Sequence, residues 1–207
     1  MSIKNNFPPI KPNLLLDFKN SKNVDSGVLF QRSALATYTD SDGYLNYAPQ
    51  GTPRFDHDPV TKECRGLLLE KAATQRCTNF TEFTLVRGSV SKNYTGPDRI
   101  SNSAFSYVPD ATNGQHALYK NIGDAGSGTD LAYSVFIKKG NSRYVHFHFG
   151  DYAGIVFDFD TATVVATKAS DSYAGFVDYK IVTYSDGWYR LVIYGANSGS
   201  GADSYIQ

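Results

Sequence analysis

The sequence predicts an all-β protein: an antiparallel β-sandwich, jelly-roll-like, preceded by an extended N-terminal arm with short strands and turns. Three observations predict it. The strongest is period-two alternation in Leu131–Lys138, Tyr144–Phe149, Ile155–Asp160 and Trp188–Tyr194, the spacing of a strand with one face on a core. The second is a run of Gly, Asn and Asp turn signals about every eight to twelve residues through the same region. The third is that no stretch carries a helical period and no internal repeat is present.

Taken in order, residues 1–12 (MSIKNNFPPIKP) hold three prolines and read as a polar, extended leader of the kind that docks in a partner's groove. Leu14–Phe18 and Val28–Phe30 read as short strands and Ala34–Tyr38 as a weaker one. Asp40-Ser41-Asp42-Gly43, between Tyr38 and Tyr44-Leu45, predicts a hairpin turn. In Pro53–Glu70, two prolines exclude a helix, Pro59-Val60-Thr61-Lys62 reads as a reverse turn, and Cys64–Glu70 as a strand. This stretch is expected to be the joint between arm (residues 1–75) and sandwich (residues 76–207). Beyond it, Phe83–Val86, Ser101–Tyr107 and Ala117–Ile122 are shorter strands, with loops at Pro109–Gly114 and Gly123–Asp130. In the four strongest strands, Tyr133, Val135 and Ile137 share a face, as do Val145, Phe147 and Phe149, then Ile155, Phe157 and Phe159, then Tyr189, Leu191 and Ile193. Ala202–Gln207 reads as the start of a last strand, and a short true terminus is expected there.

Composition narrows the function. Twenty Lys and Arg balance twenty Asp and Glu, so no basic field steers nucleic acid. No apolar run approaches the roughly 20 residues that span a bilayer, and the N-terminal run Leu14-Leu15-Leu16 is too short for a signal peptide. Cys64 and Cys77 make neither a disulfide framework nor a zinc site, and are expected as free thiols in a reducing compartment. The sequons at Asn79 and Asn93 are read as chance.

Candidate sites fall in two places. In the joint, Arg54, Asp56, His57, Asp58 and Arg65 can pair with one another or with a partner chain. Adjacent residues on an extended chain point to opposite faces, so Asp56, His57 and Asp58 read as turn formers before metal ligands. Asp40–Gly43 resembles the start of a calcium loop, but Tyr44–Gln50 supplies no acid to complete it. On the outward faces of the sandwich, Tyr144, His146, His148, Trp188, Arg190 and Tyr194 are the candidate glycan platform, since sugar rings stack on aromatics and their hydroxyls pair with polar side chains. His146 and His148 share a face and form a weaker metal alternative, with Asp158 or Asp160 as a third ligand. Asp158 and Asp160 also imitate a glycosidase pair, but they stand two positions apart on one strand rather than across a cleft. No Gly-x-Ser-x-Gly, reactive-Cys or His-Glu-x-x-His motif occurs, and the glycines of GDAGSGTD lack the Lys of a phosphate loop. No catalytic residue and no cofactor is expected.

Four phrases carry a resemblance. They are Leu14–Lys22 (LLLDFKNSK), Phe30–Leu45 (FQRSALATYTDSDGYL), Pro53–Pro59 (PRFDHDP) and Arg65–Glu70 (RGLLLE). In this order they resemble the N-terminal region of bacteriophage virion structural proteins, chiefly tail fibre proteins, over roughly the first seventy residues. Where that family carries a connector similar to R-T-N-L-L, this chain has Ala73–Phe80 with Cys77 inserted. The resemblance implies a carbohydrate-binding-module-like β-sandwich after the signature and a non-catalytic virion role. The expected partners are other virion subunits, a homo-oligomer of three or more copies, and cell-surface polysaccharide, without nucleic acid or membrane insertion. The expected location is the virion, assembled in the host cytoplasm. A lectin-like carbohydrate module and a head-decorating protein are the alternatives.

Overall fold

The computed structural model describes residues 14, 16–71, 73–75, 83–121, 129–149, 153–168, 176–196 and 203–206. Every regular element among them is an antiparallel strand, apart from one 3-10 turn at Ser185–Gly187. The protein is all-β.

The chain divides into two compact units. The first comprises residues 1–72 with two later segments, Pro97–Arg99 and Tyr184–Asp186; the second comprises the rest. In place of an extended arm, the first unit closes on two hairpins. One joins β1 (Ala36–Thr39) to β2 (Leu45–Ala48), with Tyr38 opposite Asn46. Its turn is the expected Asp40–Gly43: Asp40 Oδ1 accepts the amides of Asp42 at 3.0 Å and Tyr44 at 2.9 Å, and Gly43 takes φ +81°. That conformation suits glycine, and a Cβ there would strike the Pro59 carbonyl and the Lys62 ammonium. The other hairpin joins β3 (Phe55–His57) to β4 (Cys64–Leu67) through the turn at Pro59–Lys62. Gly66 sits at a bulge with φ +97°. Among the described residues, the strands expected at Leu14–Phe18 and Val28–Phe30 do not form. Asp17 instead accepts the Asn20 and Ser21 groups and turns the chain at residues 18–21, a local side-chain bond that competes with pairing.

The second unit holds three sheets. A hairpin pairs β6 (Gly88–Tyr94) with β7 (Ala104–Pro109). β6 holds only Val90 and Tyr94 as larger apolar residues, which hid it from the sequence pattern. A six-stranded sheet runs β12-β11-β10-β15-β8-β5, built from β5 (Thr84–Val86), β8 (Ala117–Asn121), β10 (Tyr144–Phe149), β11 (Ala153–Asp158), β12 (Thr163–Lys168) and β15 (Asp203–Ile206). The strand begun at the end of the chain thus lies inside a sheet, between β10 and β8. A three-stranded sheet runs β13-β14-β9, from β9 (Asp130–Lys138), β13 (Phe176–Thr183) and β14 (Trp188–Ala196). Asp160 lies beyond the end of β11, in the turn that follows.

Both larger sheets feed one core. Val145, Phe147, Ile155 and Phe157 enter from the first and Leu191 and Ile193 from the second, with Tyr133, Val135, Ile137, Phe159 and Tyr189 packed around them. These are the inward sets that alternation selected. Phe157 meets Phe159 edge-on at 5.3 Å and Tyr189 at 5.0 Å between ring centroids. Two sheets about a shared apolar core make this unit sandwich-like.

Candidate functional site

The joint residues come together, and they spend their polar groups inside the first unit. Arg54 is buried, and its Nη1 donates to the Thr37 carbonyl at 2.9 Å and pairs with Glu70 at 2.7 Å. Asp56 Oδ1 accepts the Thr39 amide at 2.8 Å. His57 is buried, and its Nδ1 lies 3.2 Å from the Thr39 carbonyl. A carbonyl only accepts, so Nδ1 carries a proton there. The three side chains therefore bolt β3 onto β1, which explains why a stretch full of turn formers contains a strand. Asp58 caps the hairpin: its Oδ1 accepts the amides of Val60 and Thr61, each at 2.8 Å, and its Oδ2 meets Arg65 at 2.5 Å. Those amides, then Arg65, hold its carboxyl at about 2, well below the usual carboxylate range. Asp56 and His57 are spent on the Thr39 backbone and Asp58 on its own turn and Arg65, so they form no ion cage.

Other phrases of the signature reach the same network. Phe18 packs on Phe55 at 6.5 Å, and the free thiol of Cys64 lies 3.9 Å from the Phe18 carbonyl. Arg32 donates to the carbonyls of Ala34, Ala48, Pro49 and Thr52. Within this unit Arg99 binds Asp40 at 2.8 Å and stacks on Tyr44, whose hydroxyl donates to Asp186 at 3.0 Å. That bond to Asp186 pushes the Tyr44 phenol upward. Arg32 lies in one of the quoted phrases and Arg99 in none, and the fold alone reveals what either binds.

The glycan platform expected on the sandwich does not assemble. On β10, Val145 and Phe147 face the core, so Tyr144, His146 and His148 face away from it on the six-stranded sheet. On β14, Leu191 and Ile193 face the core, so Trp188, Arg190 and Tyr194 face away from it on the three-stranded sheet. The two triplets thus lie on opposite outer faces of the sandwich, because alternation turns each away from the shared core. Trp188 is also only 9% exposed, too buried to offer its ring to a sugar. Arg190 lies over Phe136 at 5.6 Å and donates to Ser134 at 3.1 Å.

The histidines stack on one another, with ring centroids 4.3 Å apart and planes at 23°, and His148 is 5% exposed. Asp158, the proposed third ligand, is held elsewhere. It was expected to face out, yet it is 1% exposed, and Arg143 grips it with Nε 3.1 Å from each oxygen and Nη2 at 2.7 Å. This clasp holds the Asp158 carboxyl at about 2 and raises the Arg143 guanidinium. Arg143 also reaches Asp160 at 3.4 Å and lies over the Tyr144 ring at 5.0 Å. Asp158 and Asp160 thus share one arginine at a strand end, and neither carboxylate is positioned as a free acid or nucleophile. No cluster of three or more His, Cys, Asp or Glu side chains suited to a metal occurs among the described residues. No helix among them is long and apolar enough to cross a membrane. Cys77 and the Gly123–Gly128 part of the expected loop lie outside the described residues.

No protein-family model matches the chain, and no curated protein matches it at a significant level.

Proposed function

We propose that the chain is a non-catalytic structural subunit of a bacteriophage virion, a component of the tail fibre or of its attachment to the particle. The observation that carries this reading is the surface of the first unit. Leu14, Leu16, Leu29, Leu35 and Leu69 are 47–82% exposed there, with Val60 at 63%, while Arg54, His57 and Asp17 are buried. The second unit also exposes large apolar side chains, Leu85, Ile100, Val108 and Val165 among them, but the first sets its leucines beside few buried apolar ones, and exposed apolar side chains of that kind mark a surface that neighbours cover. The phrases that resemble virion proteins supply both the buried polar frame and most of these leucines. A signature whose charged residues are consumed in holding hairpins together fits scaffold work better than chemistry on a substrate. The neighbours are other virion subunits, including further copies of this chain in a trimer or higher ring. Immunogold labelling of particles from the source virus with antibody to the chain tests the assignment. Labelling at fixed tail positions is expected, and unlabelled particles that lack the chain by mass spectrometry would sink it.

A further inference from the structure

The first unit carries an open surface pocket of about 240 Å³ between its two hairpins. Pocket volumes for drug-sized ligands run about 300–1,000 Å³, so this one suits a single ring. Tyr38, Pro53 and Phe55 supply apolar walls, and His57, Lys22, Ser41 and Asp40 the polar ones.

The polar wall is unevenly used. Asp40 already accepts two amides and pairs with Arg99. By contrast, no hydrogen bond or ion pair to a described residue engages the Lys22 ammonium, the Ser41 hydroxyl or the Tyr38 hydroxyl. His57, 5% exposed, keeps a buried Nε2 with no partner among the described residues. Lys22 and Ser41 stand exposed at the mouth, free to meet an anion, and the buried Nε2 of His57 is the one lining atom whose burial asks for a polar partner, which a ring hydroxyl supplies. The aromatic and proline walls ask that the same ligand present a C–H face.

We propose that this pocket binds one acidic sugar unit, a hexuronate residue of a polysaccharide. Lys22 and Ser41 receive the carboxylate, the Tyr38 and Phe55 rings pack on the C–H face, and ring hydroxyls use the remaining polar wall. The site belongs to the first unit alone and stands whether or not the chain is a virion subunit. It also relocates glycan recognition from the sandwich faces, which cannot form one platform, to the joint.

The test is a titration of the full ¹⁵N-labelled chain with sodium glucuronate, followed by amide shifts, with glucose and glutarate as parallel probes. Glucuronate is expected to shift residues 22, 38, 41 and 55–57 saturably, with glucose binding about twofold to fivefold more weakly, the scale of one lost exposed charge interaction. Lys22→Gln removes the charge, shortens the side chain by one atom and keeps the backbone strain of φ +47°, and is expected to weaken glucuronate to the glucose level with an unchanged spectrum elsewhere. Ser41→Ala, at an exposed position, is expected to weaken glucuronate about twofold to threefold. Absence of saturable shifts, glucuronate binding indifferent to both variants, or glutarate binding as tightly as glucuronate would each overturn the proposal. The last outcome assigns the pocket to an acidic side chain of a protein neighbour.

Discussion

In the first unit the buried polar residues among those described are Asp17, Thr39, Arg54 and His57, and the buried apolar ones are Ala48 and Tyr184. In the second, eleven apolar residues are buried beside His148 and Asp158. One unit is held by side chains that satisfy backbone groups across hairpins, the other by rings and branched chains in a dry core. The difference teaches where specificity and stability reside. A polar frame fixes geometry and contributes modestly per bond, and it fails sharply when one partner is lost. An apolar core contributes in proportion to area and tolerates changes at its edge. A unit whose leucines point outward lacks the second source and gains it by covering that surface with a neighbour.

Substitutions sharpen this contrast in order of size. Phe157→Ala, at a fully buried core position, is expected to cost about 3–5 kcal/mol in urea unfolding. A loss below about 1 kcal/mol would mean that the shared core is not the source of stability in the second unit. Arg54→Met keeps the stem and deletes the head, and leaves the Thr37 carbonyl without its donor. It is expected to cost about 2–3 kcal/mol, with exchange protection lost first at Ala36–Thr39. Gly43→Ala forces a side chain into a positive φ and onto a backbone carbonyl. It is expected to cost about 2 kcal/mol, and a neutral result would remove the tight turn from the account.

Acid tests both units together. Asp58 and Asp158 each titrate at about 2 in the folded chain, below the roughly 3.9 of an unfolded aspartate. The unfolded state therefore binds more protons between those values. The stabilisation is complete above about pH 5 and is lost as pH falls toward 2. Asp158→Asn is expected to flatten the dependence in the second unit, and Asp58→Asn in the first, read from separate amide reporters. Leu29→Ser, on a residue 82% exposed, is expected to change stability by less than about 0.5 kcal/mol.

Much of the second unit was legible because burial on one face leaves a period of two. Phe147, Phe157, Leu191 and Ile193 are where alternation placed them. Strands without that asymmetry were missed: β6 holds only Val90 and Tyr94 as larger apolar residues, and β12 and β13 lie at sheet edges. Leu14–Phe18 misled in the other direction. Its leucines read as a strand, but Asp17 turns the chain and leaves Leu14 and Leu16 outside. In the joint the residue list was legible and the geometry was not, since Asp56 and His57 bind backbone groups of Thr39, and Arg54 binds the Thr37 carbonyl besides Glu70. Sequence patterns record side chains, and these bonds end on atoms that every residue carries. The sandwich platform failed for a related reason. Alternation tells which residues share a face of one strand, but not which sheet that strand joins.

The outward leucines of the first unit carry the proposed intersubunit surface. Light scattering of the full chain beside a Leu29→Ser, Leu35→Ser, Leu69→Ser triple variant tests it most directly. The account predicts a trimer or larger closed assembly for the parent and a folded monomer for the variant. A monomeric parent, or a variant that keeps the parent's mass, would contradict it.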